Sequence, residues 1–391
     1  AGGFAEGSVQ MRLVVADRPD PRLDAEVVAG LQAQVDASIR FAAAQQGNIR
    51  DRLRQIRNGN NASSNALSLN YAGDEHIPGM ALPVGQAVGA RWPAVRNDWG
   101  IWMAGTVNFG KSGGGRKYDF QSDGVTVGAD RALGEHALIG VAGSVARQDS
   151  DASGSPSSVK ADQRSLAIYG LWGAGRHVFV DGMLAYGQLD FDLVRWSDPA
   201  GRAAAAQRDG DQIFGSLTLG YEHRNDKGLS LTGYGRLDGS RTTLDAYQER
   251  GLGIYDLVYR NQDVQNTALA IGVEGSFVFG ELSARYRPFW NVEYAQALEN
   301  QGMARINYVQ QSALNDYGLR PRSYYDDRLS ISAGMDIKLD AGWLFSFKLG
   351  HEQGRNATRA NSIGLSISYG SGGSAADAAR TTLADPENGL A

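Results

Sequence analysis

The sequence predicts an all-β membrane protein: a 12-stranded antiparallel transmembrane β-barrel with an N-terminal α-helix in its lumen. Three observations lead there. From residue 98 to 369 apolar and polar residues alternate with a two-residue period, as strands with two unlike faces require. The connections between these strands are alternately tight and long, which suits a barrel with short turns on one rim and longer loops on the other. Ahead of the strands lies one long, mostly polar helix, and a helix of roughly 10 Å diameter is about what a small barrel can enclose.

Composition is compatible with this and excludes several alternatives. The 391 residues carry 38 Lys plus Arg against 43 Asp plus Glu, a net charge of −5. There are 51 glycines where an average chain would have about 27. With 42 % hydrophobic residues, 16 Tyr, 12 Phe and 7 Trp, the chain is too apolar to be disordered. The absence of Cys excludes disulfides and thiolate metal sites. A pI near 5.6 argues against a nucleic-acid partner. No run approaches 18 consecutive apolar residues, so no helix crosses a membrane, whereas strands remain able to. The chain starts at Ala1 with neither an initiator Met nor a basic-then-apolar leader, as a processed protein or a piece of a longer one does.

Residues 1–21 include a strand-like stretch, Ser8 to Val15, expected to end an upstream domain. Residues 22–60 are expected to hold a linker helix, from after Pro21 to Asn58, with Arg52, Arg54 and Arg57 near its end and Gly59 past it as start and stop signals. Val28, Leu31, Val35, Ile39, Ala42, Ile49, Leu53 and Ile56 form one apolar stripe on its otherwise polar surface. About 37 residues span roughly 55 Å, more than a hydrocarbon core of about 30 Å, so its N-terminal part is expected to project outside the pore. Residues 61–97 read as a loop leading into the barrel, and residues 370–391 as a polar C-terminal tail.

Between them twelve strands are predicted, near 98–111, 118–131, 136–148, 161–173, 177–193, 211–223, 229–240, 263–278, 281–296, 326–339, 342–352 and 360–369. Leu217, Leu219 and Tyr221, for example, oppose Ser216, Thr218 and Gly220. A soluble sandwich also alternates, so periodicity alone does not choose a membrane. The loops do: tight turns follow the even strands, while Ser112–Arg116, Asp149–Lys160, Val194–Gly210, Arg241–Gln262, Ala297–Tyr325 and Gln353–Arg359 follow the odd ones. Trp172, Tyr221, Phe279 and Trp343 gather near the tight turns, as an interfacial girdle would.

With these elements in place the chain resembles the autotransporter translocator domain of Gram-negative outer membranes. The likeness runs through the helix-forming linker, the opening WGIWMAGTVNFG (Trp99 to Gly110), GVTVGAD (Gly124 to Asp130), VDGMLAYG (Val180 to Gly187) and the closing SIGLSISY (Ser362 to Tyr369). It implies a barrel in the outer membrane whose linker helix threads the lumen and whose own N-terminal passenger is exported to the cell surface and anchored there. In that light residues 1–21 would be the end of a passenger, with Ser8 to Val15 a strand of an immunoglobulin-like fold. The family usually ends on an aromatic residue read by the barrel-assembly machinery, whereas here 22 residues follow Tyr369. The expected partners are the passenger, outer-membrane lipids and that machinery, for a barrel acting as a monomer. A free-standing channel or adhesin with ligand-binding loops is the alternative reading, and the leading helix is what distinguishes them.

No catalytic constellation is expected: a nucleophile elbow is missing, the strand serines are lumen filler, and His76, His136, His177, His223 and His351 suggest no metal centre or cofactor. The inward charges Arg236, Asp238, Glu274, Arg285, Arg287, Glu293, Asp336, Lys338 and Lys348 share the polar phase of their strands and should line the lumen. They are expected to pair across strands or to hold the helix through Asp36, Arg40, Arg50, Asp51 and Arg54. Some family members release the passenger at an asparagine pair; Asn60 and Asn61 are the candidates here, although they follow the helix-ending Gly59.

Overall fold

The computed structural model describes residues 18–57, 67–71, 99–112, 118–133, 136–152, 154–174, 177–225, 228–281, 284–311, 316–321, 327–339, 343–354 and 359–369. A helix, α1 (Ala25–Arg57), precedes twelve long strands. They are β1 (Trp99–Ser112), β2 (Tyr118–Leu133), β3 (Ala137–Ala152), β4 (Ser158–Ala174), β5 (Val178–Ser197) and β6 (Arg202–Arg224), then β7 (Leu229–Leu244), β8 (Gln262–Phe277), β9 (Ala284–Gln301), β10 (Arg328–Leu339), β11 (Trp343–Gly354) and β12 (Arg359–Tyr369). Each pairs antiparallel with the next in chain order. A short strand, Leu67–Tyr71, pairs with β12, Leu67 opposite Ile367, and lies against β1. The sheet curls until β12 and β1 come within 8 Å of each other between Cα atoms.

The two-residue period sorts the faces. Along β5 every second residue from Phe179 to Ser197 is buried, and those between are half-buried or exposed. The outward set is apolar: Leu166 is 73 % exposed, Leu217 57 % and Ile271 60 %. In water such a belt would aggregate, whereas in lipid it is the stable surface. Trp172, Tyr221 and Phe279 stand exposed beside the tight turns.

Two loop expectations are corrected. The segments Asp149–Lys160 and Val194–Gly210 are mostly strand: β3 runs to Ala152, β4 starts at Ser158, and β5 and β6 are joined by a turn at Asp198–Gly201, with Gly201 at φ +62°. There Arg195, Ser197 and Arg208 face in while Ala203, Ala205, Gln207 and Asp209 face out, so small and polar residues stand on both faces and the apolar rhythm fades although the backbone ladder continues. The remaining long loops carry a second, four-stranded sheet of Tyr247–Gln248, Leu257–Tyr259, Ala304–Tyr308 and Tyr317–Leu319, with Leu257 opposite Tyr308 and Ala304 opposite Leu319.

That sheet covers the N-terminal part of α1, the part expected to project outside the pore. Val27 and Leu31, each 1 % exposed, pack with Leu257, Tyr259, Ile306 and Tyr308 beneath it. Lengths explain the enclosure. The 33 residues of α1 rise about 50 Å. The 20 residues of β5 extend about 66 Å, or roughly 47 Å along the axis of a barrel whose strands tilt by about 45°.

Candidate functional site: the helix in the lumen

A helix this polar is costly to bury unless its side chains find partners. Gln32, Gln34, Asp36, Ser38, Arg40, Gln45, Gln46, Asn48 and Arg52 are all buried, so the wall must supply them. At the long-loop end Arg195 grips both oxygens of Glu249 at 2.8 and 2.7 Å and reaches Asp24 at 3.3 Å. Arg208 donates to Gln34 at 2.9 Å. Further in, the Tyr118 hydroxyl donates to Asp36 and accepts from Arg40 at 2.9 Å, while the Arg40 guanidinium lies 3.6 Å over the Phe120 ring. Gln212 donates to the Ser38 carbonyl at 2.8 Å, Ser165 to Gln45 at 2.6 Å, and Asn48 to Thr126 at 2.9 Å.

A buried charge pair follows. Arg52 forks onto Asp130 at 2.8 and 2.9 Å, with their side chains 3 % and 4 % exposed. Tyr169 donates to the same carboxylate at 3.0 Å and accepts from the Trp102 indole at 2.5 Å. Charge-assisted forks are among the stronger hydrogen bonds, and here all the donors converge on one carboxylate. At the tight-turn end Arg57 meets Asp181 at 2.8 Å and lies 3.9 Å over Phe179. Arg40, Asn48 and Arg52 bond Tyr118, Thr126 and Asp130 in turn, so long polar side chains tie α1 to one strand, β2, at three points.

Part of the glycine excess has its cause here. Trp102 lies on the backbone of Gly128 and Tyr169 on that of Gly140, where an added Cβ would stand 2.4 and 2.2 Å from the rings. Flattening aromatic rings over neighbouring glycines leaves the lumen wide enough for a helix. In the outer sheet burial pushes the Tyr308 phenol up to about 12, and it donates to the Pro19 carbonyl at 2.6 Å.

The predicted residues divide into groups. Leu31, Val35, Ile39 and Arg40 are buried, and Val28, Arg50 and Arg54 half-buried. Arg236 bridges Asp238 at 2.9 Å and Glu293 at 2.6 Å, a pairing within the wall. Arg54 pairs with Asp51 at 3.1 Å, lies 5.0 Å from the Phe289 ring centre and feels Glu274 and Asp336. Glu274, Arg287, Asp336 and Lys348 are half-buried, while Arg285 and Lys338 are exposed at the tight-turn rim. Asn60 and Asn61, the Ser8 to Val15 stretch and the tail after Tyr369 lie outside the described residues. Sequence reasoning missed Tyr118, Asp130, Asp181, Arg195 and Arg208, although all sit in the inward phase of their strands. Marking every inward charge, and not only those of the second half, would have found four of them.

The family profile described as Autotransporter beta-domain matches residues 101–350. The chain belongs to the autotransporter β-domain family. Its fold is similar to the translocator domain of the autotransporter NalP from Neisseria meningitidis, with a TM-score of 0.54 and 18 % identity over 73 % of this chain and 92 % of that one. The β-domain of the Bordetella autotransporter BrkA is similar at a TM-score of 0.50 and 14 % identity, over 69 % and 97 % of the two chains. In sequence the translocator is 26 % identical over 217 residues to the esterase EstA of Pseudomonas aeruginosa, covering 50 % of this chain and 33 % of EstA. The match thus spans about a third of that relative's length. The translocator is an outer-membrane β-barrel of the type V secretion class, and as a domain it is non-catalytic.

Proposed function

We propose that the translocator carries a passenger attached ahead of α1 to the cell surface and then anchors it there, acting as a monomer folded by the barrel-assembly machinery. The direction of α1 supports this reading above all. Its N-terminus lies by Glu249 and Tyr308 among the long loops, and its C-terminus by Asp181 next to the tight turns. With tight turns periplasmic and long loops outside, as barrels of this kind are arranged, anything N-terminal to Arg18 emerges outside. The pore holds one helix and little more, so a passenger must cross unfolded. Once it has crossed, the ion pairs at Asp24, Arg52 and Arg57 hold the linker in place.

The test is an epitope fused ahead of Ala1, followed on intact cells by antibody binding and by release with external protease. The full chain should display the epitope, and a chain lacking residues 18–57 should fold its barrel yet display none. Display without the helix, or an epitope retained in the periplasm by the full chain, would overturn the reading.

A further inference from the structure

The outer sheet has no core of its own. Its strands Tyr247–Gln248, Leu257–Tyr259, Ala304–Tyr308 and Tyr317–Leu319 are two, three, five and three residues long. A sheet this small is stable only when its apolar face is covered. That face presents Leu257, Tyr259, Ala304, Ile306 and Tyr308, each at most 4 % exposed, and its cover is Val27 and Leu31. These two stand one turn apart on α1 and so offer a single apolar contact. Leu23, one turn earlier, is 84 % exposed, so the cover ends at Val27. Among the described residues this cluster takes nothing from the twelve long strands.

The polar contacts repeat the dependence. Arg195 of β5 donates to Asp24 at 3.3 Å ahead of the helix, and to Glu249 at 2.7 Å and the Tyr255 carbonyl at 3.1 Å in the loops. Glu249 in turn accepts the Leu257 N–H at 3.1 Å and the Tyr259 hydroxyl at 3.2 Å. Arg208 of β6 joins Gln34 of the helix at 2.9 Å to the Asp245 carbonyl at 2.7 Å. Each wall arginine therefore binds helix and loops together. With the helix elsewhere, the apolar face of the sheet would lie open to water.

We propose that the outer sheet is a latch that folds only on the seated linker. While a chain crosses, the loops after β7 and β9 lie open. When Val27 and Leu31 reach the outer mouth the four strands close on them, and that closure sets the point at which the crossing stops. The order of events rests on the export reading above, whereas the dependence of the sheet on the helix does not.

Hydrogen exchange, read by mass spectrometry on the full chain in outer-membrane vesicles, tests both. In the native chain the amides of Leu257–Tyr259 and Ala304–Tyr308 should be protected, as those of β5 are. Val27→Asp places a charge beneath the sheet and should speed exchange at these amides by about 100-fold while β5 stays protected. Protection retained in this variant overturns the proposal. Should Val27→Asp fail to fold, seen as lost protection in β5, Val27→Ala carries the same test with an expected factor of about ten. For the order of events, an epitope and a module that a tight ligand keeps folded are fused ahead of Ala1, so that the chain stops in mid-passage. The sheet amides should then exchange as in Val27→Asp, and regain protection when the ligand is washed out and the epitope appears outside. Sheet amides protected in the stalled chain, with export resuming on wash-out, refute the latch alone. An epitope that never appears refutes the export reading and the order of events with it, while Val27→Asp still decides whether the sheet depends on the helix.

Discussion

Replacing Asp130 by asparagine should free α1 from the barrel wall while the wall stays folded. In the native lumen the carboxylate receives Arg52 at 2.8 and 2.9 Å and Tyr169 at 3.0 Å, and both charged side chains are almost fully buried. Asparagine leaves the Arg52 charge buried without its counter-ion. Removing one partner of a buried pair costs about 3–5 kcal/mol. The cost falls on the docked helix alone, because an undocked Arg52 is hydrated. At 1.4 kcal/mol per decade the undocked population rises by roughly 150- to 4,000-fold. The chain has no Cys, so Ala37→Cys, a position 0 % exposed on α1, is a clean reporter. Its maleimide labelling rate in the folded barrel should rise by that factor with Asp130→Asn and with Arg52→Met. Combining the two should recover most of the loss, since neither charge then remains buried. Slow labelling in Asp130→Asn, or a double variant as fast as the singles, would refute the reasoning.

Four other perturbations follow from the same geometry. Removing residues 1–58 should leave a folded barrel whose single-channel conductance in planar bilayers exceeds that of the full chain, and equal conductance would take the helix out of the pore. Phe347→Arg, facing lipid, should reduce the folded fraction seen as heat-modifiable mobility, by about 2–4 kcal/mol near the bilayer midplane. Ser346→Arg, facing lumen water, should leave it nearly unchanged. Gly140→Ala drives a methyl into the Tyr169 ring and should lower the thermal transition, whereas Gly233→Ala meets nothing within 4 Å and should not. Leu31→Asp should detach the outer sheet and unfold the backbone around Arg250, Arg260 and Arg305 enough for trypsin to cut there on intact cells, with native-like resistance as the contrary result.

Reading the barrel from the chain succeeded where lipid imposed a pattern. Leu217, Leu219 and Tyr221 must be apolar because they face hydrocarbon, and Ser216 and Thr218 are free to be polar because they do not. The same logic failed above the membrane. Between Arg195 and Asp209 small and polar residues dominate both faces of β5 and β6, so a continuous ladder looked like a loop. The outer sheet was equally hidden: Leu257, Tyr259 and Ile306 belong to runs of three to five strand residues that become a core only when laid on Val27 and Leu31.

Strand number, the phase of each strand, the rim of tight turns and the existence of a long helix were determined by the sequence alone, since each is a local consequence of periodicity and turn chemistry. Which residues hold the helix was decided only by the tertiary structure. Asp130 and Arg52 are 78 positions apart, and the inward phase that Asp130 shares with Asp181 and Asp238 does not say which residue of the helix it meets. Curling the sheet brings β2, β4 and α1 around one point, excludes water there and turns an ordinary aspartate into the acceptor of three buried hydrogen bonds. A charge pair gains that strength only where the surrounding chain has removed the solvent, and the removal is a property of the closed wall and not of any segment within it.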